Sequence, residues 1–217
     1  IKVDMSVHAE YTNKEKFLRE VADYTNENGL GMQVHISETE LEHKECIDRH
    51  GMTPVEFLAK TGILTNRATA AHCVWVTDDD MTLLSQLGVT VAHNPVSNLK
   101  LASGVAPVEK LISAGINVGL GTDGAASNNR LSVIRELQTA ALIHKGVTRR
   151  ADVIDTWRFF DMATENGAKA QGRDDCGKLE IGKKADICLI DIDELNNIPM
   201  FDPYSALAFS VDPKDVR

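Results

Sequence analysis

Short apolar runs alternate with amphipathic stretches along the first half of the chain. The runs at 32–36, 68–73, 89–93 and 116–120 read as β-strands, and a fifth ends at Val7 and His8. Helical patterns lie between them. Thr12 with Glu15 forms a capping box, followed by a stripe of Phe17, Leu18, Val21 and Ala22 and a stop at Gly29. A polar helix is predicted over 39–50. Thr53, Pro54 and Glu56 open another that ends near Gly62. The stretch 78–87 turns Met81, Leu83, Leu84 and Leu87 inward, and Pro107 opens a helix carrying Val108, Leu111 and Ile112, closed near Gly115. Strands joined by helices of this size must run parallel, because a crossover is needed to return the chain to the same edge.

Two further helices are predicted over 130–144 and 149–171. The style then changes to GKLEIGKKADICLIDID, short β-rich runs punctuated by glycine. The expected division is therefore an α/β unit over 1–172 and a small β appendage over 173–217. A closed (β/α)8 barrel takes about 250 residues. This chain supplies at most five of the eight strands, so an open parallel sheet fits the pattern equally well.

Composition narrows the function. The 217 residues are 43% hydrophobic and 25% charged, ordinary values for a globular chain. A net charge of −9 argues against a nucleic-acid partner. No run approaches the roughly 20 apolar residues needed to span a bilayer. The start, IKVDMSVHAEYT, lacks the cationic-then-apolar order of a signal peptide. Cys46, Cys73, Cys176 and Cys188 are scattered, which suits reduced thiols and a cytoplasmic location.

The candidate chemistry sits at the strand ends. His35, Glu38, His72 and Asp123 lie at or just past three of the apolar runs. Three strands that each deliver a polar group at one end suggest a single site of the kind parallel barrels carry. His35 with Glu38 reads as a metal ligand beside a proton-shuttling carboxylate, or as a strand-end histidine and a helix cap. His72 follows two alanines and reads as part of the same site, or as a buried histidine bonded to a carbonyl. Asp123 could form an Asx-turn, yet it ends an apolar strand where an unpaired carboxylate is costly and a metal offsets that cost. The run HNPVSNLKLASG reads as an ordered loop at the same end, with Asn98 and Lys100 as anchors. His43, His50 and His144 are expected on solvated helix faces.

Taken together, HISETE, AAHCVW, HNPVSNLKLASG and GLGTDGAASNN resemble the metal-dependent amidohydrolase superfamily in order and spacing. They look most like its 5-methylthioadenosine and S-adenosylhomocysteine deaminases, near the s-triazine chlorohydrolases. The resemblance implies the C-terminal portion of a (β/α)8 TIM-type barrel, about strands 4–8, with part of a β-sandwich appendage over 173–217. It makes His35 and Asp123 ligands of one divalent metal, zinc first, with iron, nickel and manganese compatible. It makes Glu38 the proton shuttle to a purine ring nitrogen, His72 a polarising group and Asp123 the base for the attacking water. His8 matches a substrate-contacting histidine, although VHAEYT carries Glu10 where the family usually has proline. Glu38 and Asp123 would also touch substrate.

The implied reaction is hydrolytic deamination of a purine nucleoside, with guanine, cytosine or a chlorotriazine as the other heterocycles to consider. The family's His-x-His pair does not occur in this sequence. The expectation is that the chain is part of a longer enzyme, inactive alone, and associates with an N-terminal segment or with its own copies. A non-catalytic half-barrel is the reading from outside the enzymes.

Overall fold

The computed structural model describes residues 3–65 and 67–217. Five strands, β1 (Met5–Ser6), β2 (Met32–Ile36), β3 (Ala68–His72), β4 (Thr90–His93) and β5 (Val118–Leu120), form one sheet in sequence order. Every pairing is parallel, as the helical crossovers require, with Met5 opposite Met32, Met32 opposite Ala68, Ala71 opposite Ala92 and Ala92 opposite Gly119. The connections hold α1 (Glu15–Glu27), α2 (Glu40–His50), α3 (Pro54–Thr61), α4 (Asp78–Gln86), α5 (Pro95–Lys100) and α6 (Val108–Ser113). After β5 come α7 (Ala125–Asn128), α8 (Val133–Thr148), α9 (Thr156–Ala163), α10 (Glu165–Ala170) and α11 (Pro203–Phe209).

The pleat sorts the two faces of the sheet. Met32, Val34 and Ile36 of β2, Ala68 and Ala70 of β3, and Val91 and Val118 are buried in one core with Leu18, Phe57, Leu58, Leu84 and Leu111 of the helices. Gln33, His35, Thr69, Ala71 and Ala92 line a cavity on the opposite face. One face therefore supplies packing, and the other is free to carry chemistry.

Threonine caps set three helix starts, of which the spacing predicts the one at Thr53. Thr39, Thr53 and Thr77 accept from the N–H groups of Glu42, Glu56 and Asp80, whose carboxylates return to the cap N–H groups. The predicted box at Thr12 does not form. Its hydroxyl donates to the Ala9 carbonyl at 3.1 Å, a 3-10 turn covers Glu10–Thr12, and α1 starts at Glu15 with Lys14 as cap. The loop reading of HNPVSNLKLASG gives way to a short helix, α5, with Pro95 at its first position.

The C-terminal half departs further from its pattern. α8 starts at Val133 rather than 130, because Asn129 and Leu131 take φ of 72° and 43° while the Asn128 side chain accepts from Arg130 and Leu131 N–H. The single helix expected over 149–171 is two, α9 and α10, broken at Thr164 (φ −127°, ψ −90°), whose hydroxyl donates to Phe160 O. Residues 173–217 carry no strand among the described residues; one antiparallel bridge joins Ile190 to Val216. The β-like periodicity of 177–193 finds no ladder partner, and Leu179, Ile181, Ile187 and Leu189 stand exposed.

Candidate active site

The C-terminal ends of the strands converge on a cavity of about 560 Å³ lined by His8, His35, Asn94 and Asp123, among others. His35 projects into it from β2. Its backbone N–H and its ring Nδ1 both reach the His8 carbonyl, at 2.9 and 2.8 Å. A carbonyl can only accept, so Nδ1 carries the proton and Nε2 keeps a lone pair for a metal.

His72 is opposite Ile36 in register, a place whose side chain should turn toward the helices. A φ of +74° breaks that alternation, and the ring stacks on His35 with centroids 5.3 Å apart. Asn98 Oδ1 lies 2.7 Å from His72 Nδ1. His72 Nε2 is buried and without a hydrogen-bond partner. Asp123, at φ +56°, is also left-handed. Two such non-glycine residues within one cluster of side chains are the backbone strain that functional sites retain.

Asp123 Oδ2 accepts from Ser97 and Ser127 hydroxyls at 2.6 and 2.5 Å. Burial pushes its carboxyl up. The Ser127 and Ser97 hydroxyls, the Gly124 N–H and the nearby His72 outweigh that, so the net shift is downward and the group is held as an anion. Glu38 Oε1 accepts from Ser103 at 3.0 Å, and its Oε2 lies 3.8 Å from His72 Nε2. The turn carrying Glu38 is fixed from α2, where the Glu42 carboxylate accepts from Ser37 and Glu38 N–H at 2.9 and 2.7 Å. His8 is exposed at the rim, its ring centroid 5.0 Å from that of His35 and its Nδ1 3.1 Å from the Thr12 hydroxyl.

All five sequence-predicted residues (His8, His35, Glu38, His72 and Asp123) thus share one strand-end region. One ligand atom from each of His35, His72 and Asp123 falls within 4.8 Å of the others. Two imidazoles and a carboxylate, with one buried nitrogen that makes no hydrogen bond, fit a divalent cation.

Of the anchors expected in HNPVSNLKLASG, Asn98 holds His72, and Lys100 binds Ala126 O and Asn129 Oδ1 at 2.7 and 2.5 Å. Of the three histidines expected on solvated faces, His43 and His50 are partly exposed and His144 departs from that placement. His144 is buried, with Nε2 3.1 Å from His93 Nε2, because α8 packs that face on the sheet. His50 stacks on Phe57 with centroids 4.1 Å apart, and His43 Nδ1 lies 3.1 Å from Ser37 Oγ. Sequence reasoning missed Ser97, Ser103, Ser127 and Glu136. Glu136 is 1% exposed and accepts from Val96 N–H at 3.1 Å and from Asn128 Nδ2 at 2.5 Å, joining α5, which carries Ser97, to α7, which follows Asp123. Only Ser127, four residues past Asp123, had a spacing that could have signalled it.

A parallel α/β sheet that gathers imidazoles and carboxylates at its carboxyl ends has the site placement common to barrels and open α/β sheets. The amidohydrolase family model matches residues 1–217. The chain is 44% identical over 217 residues to a 5-methylthioadenosine/S-adenosylhomocysteine deaminase of Caldanaerobacter subterraneus subsp. tengcongensis, covering 100% of this chain and 50% of that protein. Its fold is similar to a zinc-bound adenosine deaminase from Xanthomonas campestris (TM-score 0.94, 33% identity, 98% of this chain and 49% of the other). It is also similar to an atrazine chlorohydrolase from Arthrobacter aurescens TC1 complexed with zinc (TM-score 0.88, 29% identity, 94% and 45%).

The chain belongs to the amidohydrolase family, and its five-stranded sheet is a portion of that family's (β/α)8 barrel. It spans about half the length of the relatives it matches. Among the described residues, no helix is long and apolar enough to cross a membrane.

Proposed function

We propose that the protein carrying this chain is a metal-dependent hydrolytic deaminase of adenosine-like nucleosides, with 5-methylthioadenosine and S-adenosylhomocysteine as substrates. The observation that carries the reading is the grouping of His35, His72 and Asp123 ligand atoms within 4.8 Å, beside Glu38 and at the strand ends. Similarity to deaminases, one of them solved with zinc, supports both the substrate class and zinc as the metal.

His35 Nε2 and Asp123 would hold the metal, which supplies Lewis-acid activation of water when bound. Asp123, kept anionic by its serine donors, accepts the proton of the attacking water. Glu38 delivers a proton to the ring nitrogen next to the amino-bearing carbon, with Ser103 fixing one carboxylate oxygen. The water oxygen forms a bond to that carbon and the bond to the amino nitrogen breaks; ammonia leaves with the proton that Asp123 took from the water, the Glu38 proton stays on the ring nitrogen, and the remaining hydroxyl proton returns to Glu38. His72 Nε2 faces the reacting group, and His8 meets the nucleoside at the rim.

Two protein ligands are fewer than the three a catalytic zinc site normally has. The reading therefore assigns further histidine ligands to the rest of the protein and makes the 217-residue chain a weak metal binder without turnover. Association with that remaining segment, or with other copies, and a cytoplasmic location belong to the same proposal, as does a β-sandwich formed by 173–217 within the whole protein. Ammonia release from methylthioadenosine by the zinc-loaded full-length protein is the test. Release of one equivalent of ammonia per purine converted is expected. Chloride release from a chlorotriazine with no nucleoside turnover would replace the reading, and a protein that holds no metal would leave a non-catalytic scaffold.

A further inference from the structure

His35 owes its free Nε2 to a backbone carbonyl, that of His8, which also accepts from the His35 N–H and lies just past the end of the edge strand β1. β1 is two residues long and lies at the sheet edge. Directly after His8 the chain leaves the sheet into the Glu10–Thr12 turn. Something must hold that turn.

Glu10 does so from an unusual place for a carboxylate. Its side chain is 0% exposed, and it forms an ion pair and hydrogen bond with Arg49 on α2. His50 Nε2 lies 3.5 Å from the other carboxylate oxygen, which has no hydrogen-bond partner. Burying a carboxylate in a surface turn is costly, and the Arg49 guanidinium offsets the cost only while the geometry is kept. α2 is itself fixed at its start, where Glu42 caps the turn of Ser37 and Glu38. The same helix thus grips both flanks of His35: Glu42 the turn that follows it, and Arg49 the turn whose carbonyl faces its ring.

We propose that Glu10, tied to Arg49, is a positioning residue for the metal site. It holds the His8 carbonyl against His35 Nδ1, which keeps the proton on Nδ1 and Nε2 open to the metal. The inference rests on the metal-dependent reading above.

The test is the zinc dissociation constant of the full-length protein by competition with a chromophoric chelator, beside the 15N resonances of the His35 ring in the metal-free state. Glu10→Gln keeps the volume and removes the ion pair. It is expected to weaken zinc by about 10- to 100-fold, the usual effect of losing an outer partner of a ligand, and to mix the His35 tautomers. Glu45→Gln, which removes the exposed second partner of Arg49, is expected to leave zinc binding unchanged.

Equal zinc affinity of Glu10→Gln and wild type overturns the proposal, and so does an equal loss in Glu45→Gln, which would mean general loosening of α2. If Glu10→Gln does not fold, Arg49→Gln, which leaves Glu10 without its cation, decides: weaker zinc with mixed His35 tautomers supports the proposal, and a wild-type value for either overturns it. A wild-type protein that binds no zinc sinks the functional reading itself, an outcome distinct from zinc binding that ignores Glu10.

Discussion

At the scale of single residues, the site is made by departures from regular backbone. His72 and Asp123 both adopt left-handed φ, and without it His72 would face the helix layer. Ser97 and Ser127 occupy one oxygen of Asp123, so their joint removal (Ser97→Ala with Ser127→Ala) withdraws two donors that hold its carboxyl down. The acid limb of the kcat/KM profile is then expected to move to higher pH. An unchanged limb would remove Asp123 as the titrating base.

The histidine pair behind β4 has the opposite character. Burial pushes His144 down to about 4, and burial, then His144 and His72, push His93 well below its ordinary value. Both are neutral in the fold. As pH falls below the unfolded value of about 6.5, the unfolded chain takes up protons that the folded one refuses, so stability declines between pH 6.5 and about 4. His144 alone accounts for roughly 3 kcal/mol of that decline, and His144→Asn is expected to flatten it in urea titrations across the window.

At the scale of elements, the strands were legible because each is a short apolar run with turn residues on both sides, and the capped helices because Thr-x-x-Glu or Thr-x-x-Asp is a local signal. α9 and α10 read as one helix because the break at Thr164 is imposed by contacts with β5, which no window of sequence contains. The tail 177–193 shows the converse: its alternation is strand-like, yet a strand needs a neighbour. His35, Glu38 and Asp123 could be read from position alone, whereas Ser97, Ser103 and Glu136 are brought to the site from 26, 65 and 40 residues away from their partners.

Two predictions belong to elements. Phe159 of α9 is 0% exposed, and Phe159→Ala is expected to lower unfolding stability by about 3–5 kcal/mol with little change in zinc affinity. Thr39→Ala removes the α2 cap, costing about 1 kcal/mol and loosening the Glu38 turn, so kcat should fall by more than the stability loss alone explains.

For the whole molecule, the edges of the sheet are the main physical fact. Among the described residues β1 and β5 each have one ladder neighbour, and unpaired edges invite another chain. The isolated 217 residues are therefore expected to self-associate in sedimentation velocity and to bind metal weakly; a monodisperse monomer would count against this. The central claim, that His35, Asp123 and the neighbouring carboxylate form a metal-dependent deaminase site, is tested most directly by ammonia release from methylthioadenosine in the full-length protein before and after metal removal. The account predicts about one tightly held divalent ion per chain, activity lost on chelation and restored by zinc. Deamination that persists undiminished in the metal-free protein would contradict it.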